Sequence, residues 1–185
     1  ATVNEPDARP LLWAPWRIEY IRSPKGGGCF LCGLGQAPPP DGEDDLVIAR
    51  GTACFLILNR FPYNSGHLMA APFRHVADPS RLTPGERSEL TDLTFRAREL
   101  LAKVMRPDGF NLGMNLGAAA GAGLEDHLHQ HIVPRWQGDT NFMPVLADTR
   151  VVPEALTATA AILRQAWAAM DEPPPAPPPS APTRR

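Results

Sequence analysis

The chain has 185 residues, 43% of them hydrophobic, and a formal net charge of −2. That length suits one domain with a sizeable core plus tails. The near-neutral balance supplies no polyanion-binding surface, so nucleic acid is not an expected partner and any phosphate contact must come from specific local groups. No apolar run is long enough to cross a bilayer, so no membrane association is expected.

Residues 1–10 are polar, are expected to be disordered, and lack the basic-then-apolar order of a secretory signal. Three cysteines, two of them in Cys29-x-x-Cys32, do not make a disulfide framework, and a cytoplasmic protein is expected. From Leu11 to Ile21 the chain carries Trp13, Trp16 and Tyr20 among branched aliphatics, enough apolar area to demand burial on a core, a second subunit or a ligand.

Gly26-Gly27-Gly28 precedes Cys29-Phe30-Leu31-Cys32-Gly33, which reads as a Gly-bordered turn, and Gln36 to Asp45 reads as a solvated loop. Leu46–Arg50 and Ala53–Leu58 are short, β-rich and separated by Gly51-Thr52, as in a hairpin, with Cys54 buried in its second strand. Asn59 to Gly66 is rich in turn formers. His67 to Pro72 reads as another strand, followed by Arg74-His75. Thr83, Pro84 and Glu86 make a capping box with proline at the first helical position, and Leu90, Leu93, Ala97, Leu100 and Leu101 recur at helical spacing until Pro107. Phe110 to Leu116 alternates as a strand, and Gly117 to Gly123 is a run of small residues that lets backbone approach a ligand closely. Pro153 to Met170 reads as a second helix, and residues 171–185 as a disordered Pro-rich tail. The sum is an α+β fold, a five-stranded mostly antiparallel sheet with two main helices.

Three of the five histidines fall in His127-Leu128-His129-Gln130-His131, ahead of Ile132-Val133-Pro134-Arg135-Trp136. Read as a strand, the stretch points all three imidazoles to one face and Gln130 to the other. Such a row can hold a metal, act on a phosphate, or divide those tasks. Cys29-x-x-Cys32 has zinc-ligand spacing, and His75 and a member of the histidine row are available to close a tetrahedron. The same pair could instead be redox-active or unliganded. A neutral imidazole attacks phosphorus and leaves well, so one histidine could carry a nucleotidyl group. A backbone carbonyl on the opposite N–H would fix the required tautomer. Backbone N–H groups at Gly121, Ala122 and Gly123 could meet the developing phosphate charge without a lysine.

These residues resemble the histidine-triad nucleotide hydrolases and transferases. HLHQHIVPRW is similar to the family signature; Asn59-Arg60-x-Pro62, Gly66-His67-Leu68, Pro72 and His75 are similar to its ribose loop and following strand; Asn115-x-Gly117 is similar to its phosphate loop. The resemblance covers residues 11–170, and APWR, Cys29-x-x-Cys32 and PRWxGDTNFMP are similar to bacterial members that phosphorolyse diadenosine tetraphosphate. It implies that His129 attacks the α-phosphate and His131 contacts the scissile phosphate and leaving group. It further implies that Asn59 meets the ribose, and that Asn115 with Gly121, Ala122 and Gly123 holds the phosphates. Structural zinc on Cys29, Cys32, His75 and His127 is implied too, as are an adenine nucleotide substrate, inorganic phosphate as acceptor with water as the alternative, and a homodimer. Where many members carry Gln then Ser or Thr, this chain has Ala122-Gly123, so side-chain phosphate donors are missing there. His67 is the hardest to assign and reads as a core or supporting histidine ahead of a catalytic one.

Overall fold

The computed structural model describes residues 29–36, 46–139 and 156–171. The aromatic stretch from Leu11 to Ile21, the loop through Asp45, the residues after Asp139 up to 155 and the proline-rich tail lie outside the described residues.

Helix α1 spans Phe30–Gln36, followed by strands β1 (Val47–Arg50), β2 (Cys54–Leu58) and β3 (Leu68–Pro72). Helix α2 (Pro84–Met105), strands β4 (Gly109–Gly113) and β5 (Gln130–Arg135), and helix α3 (Leu156–Asp171) complete the order. The strands form one sheet in the order β1-β2-β3-β5-β4 with every pairing antiparallel. The expected α+β class, strand number and two main helices are all present.

Periodicity explains the core. Every residue of β2 and β3 is buried, as the near-continuous apolar runs CFLIL and LMAAP require. Helix α2 lays Leu90, Leu93, Ala97, Leu100 and Leu101 inward, and it packs on β2, β3 and β5 while α3 packs on α2 and β1. Each fully buried leucine contributes roughly 1.5–3 kcal/mol.

The start of α2 is fixed as its sequence predicts. Thr83 Oγ1 accepts from the Glu86 N–H at 3.2 Å, and Glu86 Oε2 accepts from the Thr83 N–H at 2.7 Å. Glu86 also takes two bonds from Arg74, 2.9 Å from Nε and 2.7 Å from an Nη, which ties the segment after β3 to the helix start. Glu89, one turn on, accepts from the Thr52 and Ala53 N–H groups at 2.6 and 2.8 Å and closes the β1–β2 hairpin.

Two local expectations need correction. The Cys29-x-x-Cys32 segment is not a simple turn: Cys32 lies inside α1, because Leu31 seeks the core and is fully buried there. The histidine row is not all strand either. β5 begins at Gln130, and residues 123–127 bend before it. The Leu128 N–H bonds to the Val76 carbonyl at 2.6 Å, outside the ladder, so His127 and His129 are placed by a bend and only His131 by the sheet.

Candidate active site and metal centre

The bend separates the three imidazoles. His127 is fully buried and its ring stands 5.2 Å from that of His75, edge to face. His129 and His131 form a second pair, with centroids 4.8 Å apart and planes at 84°.

Around His127 four ligand atoms converge. Its Nδ1 lies 3.1 Å from Cys29 Sγ and 3.4 Å from Cys32 Sγ, and His75 Nδ1 lies 3.2 Å from Cys32 Sγ. All four atoms fall within 4.8 Å of one another. A tetrahedral zinc, with bonds of about 2.0–2.3 Å, holds its ligands about 3.3–3.8 Å apart, so the donor set fits and the three short pairs, at 3.1, 3.2 and 3.4 Å, lie close to that spacing. The outer nitrogens fit as well. His127 Nε2–H donates to the Pro72 carbonyl at 2.9 Å, leaving an Nδ1 lone pair towards the sulfurs, and His75 Nε2 sits 3.8 Å from an Asp126 carboxylate oxygen. Burial pushes the His127 imidazole down and keeps it neutral. Burial, and then the neighbouring Cys29, push the Cys32 thiol up; a bound cation would reverse that. Four protein ligands would close the shell, which makes the centre structural. The third cysteine takes no part: Cys54 is fully buried in β2, its thiol is pushed up to about 12 by burial, and its Sγ points to the Glu86 carbonyl at 3.6 Å.

His129 is 7% exposed, and its Nδ1–H donates to the His127 carbonyl at 2.9 Å. A carbonyl can only accept, so in the neutral ring Nε2 carries the lone pair. His131 has the opposite polarity, and His67 is the reason. His67 Nδ1 accepts from the Tyr63 N–H at 3.1 Å and lies 3.3 Å from Asn59 Nδ2. Its proton is therefore on Nε2, which donates to His131 Nδ1 at 2.9 Å. That leaves the His131 proton on Nε2. His67 is fully buried and pushed down to about 3, first by burial and then by His131 and His129, so it stays neutral. The site thus offers one imidazole lone pair and one imidazole N–H side by side.

The structure sets His67, the histidine hardest to place from sequence, against His131. The signal lay in the register: Met69 pairs with His131, so His67, two residues before Met69, sits diagonally across from His131 on the same sheet face.

The loop between β2 and β3 borders this pair. Asn59 Oδ1 accepts from the Phe61 N–H at 2.9 Å, and the Asn59 N–H bonds to the His67 carbonyl at 2.8 Å. The Tyr63 ring stacks on His67 at 4.9 Å. Gly66, at φ +76°, makes the turn back into β3. Beyond Gly113, which pairs with His131, the chain continues to Asn115, whose Nδ2 donates to the Gly121 carbonyl at 3.4 Å. Residues Ala118–Ala120 form a 3-10 turn framed by Gly117 and Gly121, both with positive φ. Within it the Gly121 N–H bonds to the Ala118 carbonyl at 2.9 Å and the Ala122 N–H to the Gly117 carbonyl at 3.3 Å. Gln130, expected to face away from the triad, is half-buried and pairs with Ala70.

Comparison with known proteins finds both a family model and solved relatives. The HIT domain model matches residues 42–138. The AP-4-A phosphorylase of Mycobacterium tuberculosis (strain CDC 1551 / Oshkosh) is 39% identical over 172 residues, covering 90% of this chain and 88% of that protein. A Zn-bound histidine triad family protein from Mycobacterium smegmatis superposes with a TM-score of 0.61 at 26% identity, covering 78% of this chain and 96% of that one. A histidine triad nucleotide-binding protein from Sulfolobus tokodaii strain7 shares the fold, with a TM-score of 0.60 at 19% identity over 77% of this chain and 93% of that one.

Proposed function

This chain belongs to the HIT domain family, and from that premise we propose that it phosphorolyses diadenosine tetraphosphate to ADP and ATP through a nucleotidyl-His129 intermediate. The observation that carries the reading is the opposed polarity of His129 and His131.

In the first step the His129 Nε2 lone pair attacks the α-phosphorus of one adenylyl half. The bond from that phosphorus to the bridging oxygen breaks, and His131 Nε2–H supplies a hydrogen bond or proton to the departing ATP. Inorganic phosphate then attacks the adenylyl-imidazole phosphorus, the P–N bond breaks, and ADP leaves with His129 again neutral. The His127 carbonyl holds Nδ1–H through both steps and disperses the charge that the ring gains on attack.

Asn59 is the proposed ribose contact; its Nδ2 has a second proton and its Oδ1 a second lone pair to offer. Asn115 with Gly121, Ala122 and Gly123 is the proposed phosphate cradle. The bond from the Ala122 N–H to the Gly117 carbonyl is long, at 3.3 Å, which suits its exchange for a phosphate oxygen. Zinc on Cys29, Cys32, His75 and His127 would fix the bend from which His129 projects. With four protein ligands it would supply position and no chemistry at phosphorus.

The active protein is proposed to be a cytoplasmic homodimer. β4 is an edge strand, Leu112 on it is 40% exposed and nearby Leu116 is 52% exposed. Among the described residues no helix is long and apolar enough to cross a membrane.

The test is product analysis with diadenosine tetraphosphate, with and without inorganic phosphate. ADP plus ATP, formed only with phosphate, is the expected result. AMP plus ATP would assign water as acceptor and a hydrolase. No turnover of any adenylylated substrate would overturn the enzymatic reading.

A further inference from the structure

We propose that Asp139 is a positioning residue for the nucleoside-binding loop. Its carboxylate straps that loop to the end of β5, the strand that carries His131. The inference rests on the reading of residues 59–66 as the nucleoside loop.

Asp139 lies beyond β5, in a turn that Gly138 makes at φ +74° and that the Asp139 N–H closes onto the Trp136 carbonyl at 3.1 Å. Its carboxylate collects four donors. Oδ2 accepts from Arg135 Nε at 2.6 Å, Asn64 Nδ2 at 2.8 Å and the Trp136 N–H at 3.1 Å; Oδ1 accepts from an Arg135 Nη at 2.8 Å. The side chain is only 12% exposed. The other Arg135 Nη reaches Asn111 Oδ1 on β4 at 2.8 Å, so the hub is braced by two strands. The Arg135 guanidinium holds the Asp139 carboxyl far below the usual carboxylate range.

Asn64 is what this hub holds. Both protons of its Nδ2 are committed, one to Asp139 and one to the Pro134 carbonyl at 3.0 Å. Its own carbonyl accepts from the His67 N–H at 3.1 Å. Asn64 therefore joins two parts of the site: its side chain is fixed to β5 and its main chain to the residue that sets the His131 tautomer. Asn59 and Tyr63 lie on the same loop. The bonds of Asn59 and Tyr63 to His67 remain when the strap is cut, so the histidine pair should keep its polarity while the loop shifts relative to β5. Asp139 thus acts on substrate affinity more than on the chemical step.

The experiment compares Asp139→Asn, Asn64→Ala and the double variant in full-length protein, with steady-state kinetics on diadenosine tetraphosphate. Asp139→Asn keeps the shape but loses the charge and the second acceptor facing Arg135. The expected result is a KM raised roughly tenfold in each single variant, kcat within about twofold, and a double variant no worse than the poorer single. An unchanged KM, or single effects that multiply in the double variant, would overturn the proposal. Hydrogen exchange separates its failure from failure of the functional reading. If the parent protein shows no turnover, Asp139→Asn must still speed exchange of the His67 amide, whose acceptor is the Asn64 carbonyl, while leaving the Tyr63, Leu56 and Ala70 amides protected. Uniform loss of protection, or none, would count against the strap.

Discussion

His67 Nε2 lies 2.9 Å from His131 Nδ1, and this one contact decides which way His131 faces chemically. The Tyr63 N–H on the far nitrogen of His67 starts the chain, and a proton on His131 Nε2 is its end. His67→Phe keeps the buried aromatic volume but frees the His131 tautomer. kcat should fall by roughly 100-fold, the lower end of what a placed acid or base contributes, with metal content unchanged. Steady-state rates beside metal analysis check this.

The same histidine makes stability fall in mild acid. Its ordinary value is 6.5 and burial lowers it to about 3 in the folded chain. Between those values the unfolded chain binds a proton that the folded chain refuses, so stability declines as pH falls through that window. Glu86 acts in the same direction lower down. Its carboxyl is held at about 2, against an ordinary 4.5, chiefly by Arg74, so its contribution disappears as pH drops below the ordinary value. Urea midpoints measured from pH 7 to pH 4 should fall, and His67→Phe should flatten the curve between about pH 6.5 and pH 4.

The metal centre should be separable from the chemistry. Cys32→Ser removes a thiolate from the group of four ligands. Metal content should fall sharply and the melting temperature by several degrees, since binding at such a centre stabilises the fold. His129→Ala should retain full metal and lose activity. Elemental analysis and thermal melts of the two variants check both halves. Retained zinc in Cys32→Ser would point to another ligand set.

Gly66 is a position where backbone conformation decides. It sits at φ +76°, and an added Cβ would meet Met105 Sδ at 2.3 Å. The methionine tip can swing aside, but the left-handed backbone costs an alanine about 1–2 kcal/mol. Gly66→Ala should therefore lower stability by that amount, read as a shifted urea midpoint at constant slope.

Much of this molecule is legible in its residues. The capping box at Thr83 and Glu86, the hairpin across Gly51 and the buried Cys54 follow from local rules, and the structure contains each. The convergence of Cys29, Cys32, His75 and His127 was expected from resemblance, whereas spacing alone left the histidine ligands open. What escaped depends on backbone or on register. A period of two suggested that all three histidines share a strand, but the Leu128–Val76 bond bends the chain before β5 begins. The Cys29-x-x-Cys32 helix was hidden by its glycines, because burial of Leu31 is a tertiary effect. The partners of His67 escaped because one of them is the Tyr63 main-chain N–H, which no side-chain pattern encodes. Arg135 and Asp139 are four apart, a spacing usually read on helices, and here they meet across a turn at the end of a strand.

The central claim is that the bend divides the histidine row, giving His127 to a metal and His129 to phosphorus. The direct measurement is intact-protein mass spectrometry on a turnover quenched without inorganic phosphate, followed by localisation of the adduct. One adenylyl group on His129 in metal-loaded protein, absent from His129→Ala, is the predicted result. An adduct on His127 or His131, or persistent labelling of His129→Ala, would contradict it.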